Sequence, residues 1–349
     1  MKTWRDNIRQ VVPYTPGEQP KEQGVIKLNT NENPYPPSPK VMEAMKNICN
    51  LRKYPDPGAV DLVEGIADYH GFSKDEVFVG VGSDDVLAIA FLTFFNGKRP
   101  ILFPDITYSF YDVWADLFQI PYETKPLDEQ FEIHSEDYYG ENGGVIFPNP
   151  NAPTGALLHI GAVEDIIRHN QDVVVIVDEA YIDFGGETAK ELTRKYDNLL
   201  VVQTYSKSRS LAGLRIGYAI GNKELIKAMN DVKYSFNSYT MNEPSIVLGT
   251  AVIKDEAYFQ KTKSQIVETR EWFKKEMKKL GFSFADSKAN FIFAKHKEAK
   301  AKDIFEAAKE EKIYVRYFSK PRIDNYLRIT IGTREEMEIF LSFLKKYLA

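Results

Sequence analysis

From Glu76 onward, apolar residues arrive in short unbroken blocks separated by polar, helix-like stretches. The blocks are Val77-Phe78-Val79-Gly80-Val81, Ile101-Leu102-Phe103, Val145-Ile146-Phe147, Val173-Val174-Val175-Ile176-Val177, Leu199-Leu200-Val201-Val202 and Ile216-Gly217-Tyr218-Ala219-Ile220. None alternates with polar residues at a period of two. Such runs belong to strands covered on both faces, so they predict a largely parallel sheet between helices. Gly82-Ser83-Asp84-Asp85 opens an apolar helix from Val86 to Phe95, and a second helical pattern covers about Gly161 to His169.

The rhythm differs at both ends. Residues 1–30 are rich in proline and charge and predict an extended arm with at most one short helix. Asn31-Glu32-Asn33-Pro34-Tyr35-Pro36-Pro37-Ser38-Pro39 follows. Its prolines fix φ and remove donors, which makes a rigid irregular loop. After Met241 a long helical stretch, Tyr258 to Leu280, stops at Gly281, a normal C-terminal signal. Then come Asn290–Ala294, a helix near Asp303–Glu310, Ile313–Arg316, Tyr326–Ile331 and a last helix over Arg334–Tyr347. The expected organisation is an arm (1–30), a large α/β unit (31–240) and a smaller α+β lobe (241–349).

Bulk properties narrow the function. Forty-five basic residues stand against 50 acidic ones and are spread along the chain, which argues against an electrostatic track for nucleic acid. One cysteine, Cys49, allows neither an intrachain disulfide nor a cysteine zinc cluster. That usage, with no apolar leader after Met1, suits a cytoplasmic protein. No segment is long and apolar enough to span a bilayer. The five histidines, His70, His134, His159, His169 and His296, lack metal-ligand spacing.

The chemistry starts with two strand ends. Asp178-Glu179-Ala180-Tyr181 follows the Val173–Val177 run, and Thr204-Tyr205-Ser206-Lys207 follows Leu199–Val202. In an open α/β sheet, ligands sit off the carboxyl ends of the strands. One carboxylate and one amine therefore share a rim. Pyridoxal phosphate chemistry needs that pair: a lysine for the Schiff base, and an acid that keeps the pyridine nitrogen protonated. Either fragment alone is commonplace, and a strand ending in Asp-Glu also occurs in Walker-B sites. An NTPase, however, requires a Gly-x-x-x-x-Gly-Lys-Ser/Thr segment, and the chain has none.

Phosphate would go to Gly82-Ser83-Asp84, where a helix N-terminus offers free N–H groups. Ser83 adds a hydroxyl there, while Asp84 contributes through its backbone N–H, since its carboxylate would repel the ligand. Arg215, in Ala212-Gly213-Leu214-Arg215, is placed to grip a dianion in a bidentate manner.

Taken together, Asn31-Glu32-Asn33-Pro34, Tyr54-Pro55-Asp56, Gly82-Ser83-Asp84, Pro153-Thr154-Gly155, Asp178-Glu179-Ala180-Tyr181, Ser206-Lys207 with Arg215, and Tyr326-Leu327-Arg328-Ile329-Thr330 resemble the class I/II aminotransferases of fold type I. Within them the histidinol-phosphate branch is the most similar. The match runs in order over nearly the whole chain. The resemblance implies pyridoxal 5'-phosphate as cofactor, and transamination between glutamate/2-oxoglutarate and histidinol phosphate/imidazole acetol phosphate. An aromatic amino-acid aminotransferase and a same-fold lyase, such as a threonine-phosphate decarboxylase, are the alternatives. A cofactor-binding regulator would need an added DNA-binding module, for which the arm is too short.

The resemblance also implies roles. Lys207 carries the cofactor and shuttles the substrate proton. Asp178 pairs with the ring nitrogen, Tyr181 bonds the ring hydroxyl, and Tyr108 stacks on the ring. Ser83, Asp84, Ser206 and Arg215 hold the phosphate. Tyr54 reaches the phosphate of the other subunit's cofactor, which makes a homodimer obligatory. Tyr14, Asn31, Arg316 and Arg328 bind substrate, Arg328 taking the α-carboxylate. One departure stands out. The family places Asn directly before Pro-Thr-Gly, and this chain has Ala152 there. Asn151, one residue upstream, is the candidate replacement.

Overall fold

The computed structural model describes residues 3–49 and 51–349. The arm holds one 3₁₀ turn, Trp4–Asn7, and a two-residue strand, β1 (Ile26–Lys27). Helices α1 (Pro39–Ala44) and α2 (Val60–His70) lead to β2 (Val77–Val81) and α3 (Ser83–Phe94). Then follow β3 (Ile101–Pro104), α4 (Tyr111–Phe118), β4 (Tyr122–Lys125), β5 (Val145–Pro148), α5 (Ile160–Arg168), β6 (Val175–Asp178), β7 (Leu199–Thr204) and β8 (Ile216–Gly221). Helices α6 (Lys223–Phe236), α7 (Glu243–Ile253) and α8 (Glu256–Lys279) connect to the last elements. These are β9 (Phe282–Phe284), β10 (Phe291–His296), α9 (Ala301–Glu310), β11 (Ile313–Tyr314), β12 (Arg316–Tyr317), β13 (Leu327–Thr330) and α10 (Arg334–Leu348).

Seven strands form the central sheet in the order β2-β8-β7-β6-β5-β3-β4. Only β8 runs antiparallel to its neighbours; the other pairs are parallel. The unbroken apolar blocks have a simple cause. Ile146, Ile176, Leu200 and Val202 point to the α3–α4–α6 side, while Val145, Phe147, Val175, Val177, Leu199 and Val201 point to the α5 side. Both faces are dry, so no polar position interrupts the period of two. The edge strand β4, Tyr-Glu-Thr-Lys, is mostly exposed and carries no apolar block to announce it. The arrangement is a mixed, mainly parallel sheet between helices with a smaller sheet-containing lobe, as the resemblance implied.

The lobe is an antiparallel sheet in the order β12-β13-β10-β9, packed under α8, α9 and α10. Two segments cross the divisions expected from sequence rhythm. The arm is sewn into this lobe, because β1 pairs in parallel with β11 and Leu28 is wholly buried in the lobe's core. Conversely, α7 packs on α1 and α2, and its Ile246, Leu248 and Val252 share a core with Val41, Leu62 and Ile66 of the large unit. Rhythm along a chain reports element type; it does not report which core an element joins. Among the described residues, no helix is long and apolar enough to cross a membrane.

Arg270 of α8 ties the two units together. It is buried, and its Nη1 donates to the carbonyls of Phe184 (2.9 Å) in the large unit and Ala289 (2.8 Å) in the lobe. Arg270→Met leaves both carbonyls without that donor. Each orphaned buried group costs about 1–3 kcal/mol, so the variant should lose roughly 2–5 kcal/mol in urea unfolding followed by circular dichroism. An unchanged midpoint would remove Arg270 from this tying role.

Candidate active site

Parallel strands β5, β6 and β7 end side by side, and the rim they form collects the candidate chemistry. Asp178 is the last residue of β6 and only 4% exposed. Its Oδ2 accepts from the Tyr111 hydroxyl (2.9 Å), and its Oδ1 accepts from the Ala180 N–H (3.2 Å). Burial pushes this carboxyl up to about 6, against the opposing effect of those two hydrogen bonds. Burial, with the Asp178 charge beside it, also raises Tyr111 well above the usual phenol range.

Lys207 lies just past β7. Its Nζ donates to the Thr30 carbonyl (3.3 Å) and sits 5.7 Å from the centre of the Tyr181 ring. The backbone around it is clamped from the arm side: Asn33 Nδ2 donates to the carbonyls of Lys207 and Ser208, both at 3.1 Å. Asn31, in the left-handed region at φ 57°, donates from Nδ2 to the Tyr181 hydroxyl (2.9 Å). Thr330 of β13 holds Asn31 in turn, its hydroxyl donating to Asn31 Oδ1 and accepting from the Asn31 N–H, both at 3.0 Å.

The start of α3 and the Arg215 side chain meet at the same rim. Gly82 adopts φ 83°, and a Cβ there would overlap the Arg215 guanidinium. A Cβ on Gly217 would likewise overlap the backbone of Gly82 and Ser83. Two glycines thus let β8 and its arginine approach a helix N-terminus, where free N–H groups and the helix dipole favour an anion. Arg215 Nη1 donates to Ser206 Oγ (3.3 Å), and its Nη2 donates to Asp84 Oδ2 (2.9 Å). The Tyr108 hydroxyl donates to the other Asp84 oxygen (2.7 Å). Here the structure departs from the sequence expectation, which had Asp84 acting through its N–H alone. Its carboxylate is part of the cavity wall.

Two adjoining cavities result. The inner one, about 90 Å³, is lined by Ser83, Asp84, Asp178, Ser206 and Arg215. The outer one, about 160 Å³, is lined by Tyr14, Asn31, Thr107, Arg316, Phe318 and Arg328. Tyr108, Ala152, Tyr181 and Lys207 border both. Tyr14 stacks on Phe110, with ring centres 4.2 Å apart. Arg328 Nη2 donates to the Asn29 carbonyl (2.9 Å), while its Nε is buried with no partner among the described residues. Burial lowers the basicity of Arg328, and the charge on Arg316 acts in the same direction.

Two candidates lie elsewhere. Asn151 does not border either cavity: its Nδ2 donates to the Ile106 carbonyl (2.9 Å) and Thr154 Oγ1 (3.1 Å), and its Oδ1 accepts from Thr107 (3.3 Å). The expected substitution of Asn151 for the missing asparagine therefore gives way. The side chain is held inside its own loop, whose Pro150 and Pro153 bonds are both cis, and Ala152 faces the cavity. Tyr54 is 83% exposed, against Tyr239 at 4.8 Å between ring centres, and borders neither cavity. The sequence reading missed Tyr111, Asn33 and the Thr30 carbonyl. Tyr111 opens a helix of 8 residues, too short to show a clear period; nothing in the sequence marks a carbonyl.

Pyridoxal phosphate fits what is present. The glycine-lined cradle at Gly82 and Arg215 suits its phosphate, the buried Asp178 suits a protonated ring nitrogen, and the outer cavity beside them is bordered by the guanidinium groups of Arg316 and Arg328. Among the described residues no group of His, Cys, Asp and Glu could hold a metal ion. Another concavity, about 840 Å³, lies at the amino ends of the strands; at its rim Arg99 pairs with Glu141 and Asp172, and Lys195 with Glu164. Its lining mixes charges of both signs, Lys98, Arg99 and Lys195 with Asp172 and Asp197.

The raised Asp178 carboxyl has a pH signature in the cofactor-free protein. An unfolded aspartate titrates near about 3.9, and the folded one near about 6. Between those values the folded state binds more protons, so this group's contribution to stability falls as pH rises through the window. Asp178→Asn removes the component. The variant should match the parent at pH ~4 and exceed it at pH ~7 by about 3 kcal/mol in urea titrations. An equal difference at both pH values would remove the assignment.

Comparison with known proteins agrees with this chemistry. The family model for aminotransferase class I and II matches residues 23–344. A histidinol-phosphate aminotransferase of Clostridium botulinum (strain Okra / Type B1) is 52% identical over 349 residues, covering 99% of each chain. The crystal structure of the histidinol-phosphate aminotransferase from Clostridium acetobutylicum superimposes with a TM-score of 0.86 at 24% identity, over 93% of this chain and 99% of that one. The enzyme of that name from Sinorhizobium meliloti, in complex with pyridoxal-5'-phosphate, gives 0.84 at 20% identity, over 93% and 90%. The match to the family model spans more than half the chain, and the full-length identity is high; the chain belongs to the class I and II aminotransferases.

Proposed function

We propose that this chain is a pyridoxal-phosphate-dependent aminotransferase of histidine biosynthesis. It takes an amino group from glutamate, releasing 2-oxoglutarate, and gives it to imidazole acetol phosphate to form histidinol phosphate. The observation that carries the reading is 52% identity over 99% of both chains to a relative of that name. When bound, pyridoxal phosphate supplies an electrophilic carbon for the amino group and a conjugated sink for the electrons of the substrate's Cα–H bond.

The residues divide the remaining work. Arg215, Ser83, Ser206 and the N–H groups opening α3 bind the phosphate. Asp178, dry and negatively charged when it meets a cationic N–H, holds the proton on the ring nitrogen. Tyr181, oriented by Asn31, donates to the ring hydroxyl oxygen, and Tyr108 covers a ring face. Lys207 Nζ takes the proton from the substrate's Cα and returns one to the product. Arg328 binds the α-carboxylate. Arg316 and Tyr14 bind the distal phosphate of one substrate and the side-chain carboxylate of the other; a guanidinium fork accepts both anions. Tyr54, too exposed to serve its own cavity, completes the phosphate site of a second copy, so the working unit is a homodimer. We assign the enzyme to the cytoplasm, in keeping with its single cysteine and its biosynthetic role.

Two substrates that visit one cavity in turn predict ping-pong kinetics. Initial-rate lines for glutamate and imidazole acetol phosphate should be parallel, and Lys207→Ala should lower kcat at least about a hundredfold. Borohydride treatment of the holoenzyme should fix the cofactor on the peptide containing Lys207. Intersecting lines, or label on another peptide, would contradict the mechanism. Carbon dioxide release from an amino-acid phosphate would assign the site to a lyase instead.

A further inference from the structure

Lys233 is a buried amine remote from the described cavities. It lies in the last turn of α6 and is 2% exposed. Its Nζ donates to the Pro57 carbonyl (3.0 Å) and sits 4.7 Å from the Tyr234 ring centre and 5.8 Å from that of Phe78. Burial lowers its basicity, and the carboxylates of Asp85 and Asp56 act in the opposite sense. A lysine this dry is costly to keep, and the reaction above gives it no role.

What it holds is the turn after Tyr54. That turn contains Ala59 in the left-handed region (φ 48°, ψ 41°) and fully buried. A non-glycine residue there persists only where the surroundings over-determine it. Two anchors do so. Asp56 accepts from the N–H groups of Gly58 (3.1 Å) and Val60 (2.7 Å). Lys233 holds the Pro57 carbonyl. The same end of α6 also supports the side chain, because Tyr239, just beyond it, packs on the Tyr54 ring at 4.8 Å.

We propose that Lys233 is a positioning residue for the phosphate site of the neighbouring copy: it fixes the Asp56–Ala59 turn so that the Tyr54 hydroxyl is presented outward, ready to donate to the other subunit's cofactor phosphate. This rests on the reading of Tyr54 in trans given above. Lys233 touches no ligand, and its effect passes through the turn. A lysine that acted on its own subunit's phosphate site, through Asp85 and the start of α3, would do so in cis. The two are separable.

The test uses hybrid dimers, purified with two tags, in which one subunit carries Lys207→Ala, so that a single Lys207 remains to report cofactor binding by the absorbance of the lysine-bound form. With Lys233→Met on the Lys207→Ala subunit, the intact site receives its Tyr54 from the altered turn, and cofactor affinity should fall about tenfold, the size of one hydrogen bond to a charged acceptor. With Lys233→Met moved to the subunit that keeps Lys207, affinity should match the unaltered hybrid. Tyr54→Phe on the Lys207→Ala subunit should reproduce the first result. If it leaves affinity unchanged, the reading of Tyr54 fails and the inference with it. If Tyr54→Phe weakens binding but Lys233→Met does not, or acts from the subunit that keeps Lys207, only the role of Lys233 is overturned. Should Lys233→Met prevent dimer assembly, Lys233→Gln is read in the same hybrids.

Discussion

A carboxylate held almost out of water is the constraint around which this molecule is arranged. Asp178 closes a strand whose every residue is buried, and among the described residues the Tyr111 hydroxyl and one backbone N–H are the donors to its carboxylate. An isolated buried anion is unfavourable, so the group's proton affinity rises toward neutrality. A cationic partner in the cavity changes that balance, because the same dryness that penalises a lone charge strengthens a pair. Binding of a protonated heteroaromatic ring and ionisation of Asp178 are therefore coupled, and the parallel sheet provides the rigid floor on which the coupling depends.

The second organising fact is that the cavity's far wall comes from the chain's two ends. The arm supplies Tyr14 and the Thr30 carbonyl, the loop just after it supplies Asn31 and Asn33, and the lobe supplies Arg316, Arg328 and Thr330. They are knit to one another and to the large unit: β1 lies on β11, and Thr330 of β13 grips Asn31, which grips Tyr181. A shift of the lobe against the large unit would thus move the groups above Lys207 while leaving Asp178 and Arg215 in place.

Much of this was legible in the sequence. The strand blocks predicted a sheet dry on both faces, and the residues after them, Asp178 and Ser206-Lys207, were placed at one rim because a parallel sheet aligns its carboxyl ends. What escaped had physical reasons. Strand β4 is a solvent-facing edge with no apolar block. The contacts of Asn33 and Thr30 with Lys207 span more than 170 positions, and hydrophobic periodicity is blind to such distances. Asn151 was expected in the cavity because it lies beside the family's position; a neighbour in sequence on a tight loop points the other way, and Ile106 and Thr154 hold it there.

The pairing of β1 with β11 joins positions 26 and 313. During synthesis the strands of the large sheet can assemble while the arm still lacks its partner, since β11, β12 and β13 are made after every strand of that sheet. The ceiling over Lys207 is then incomplete until nearly the whole polypeptide has emerged from the ribosome. A chain that stops short of β11 would lack Arg316, Arg328 and Thr330, which border or brace the outer cavity.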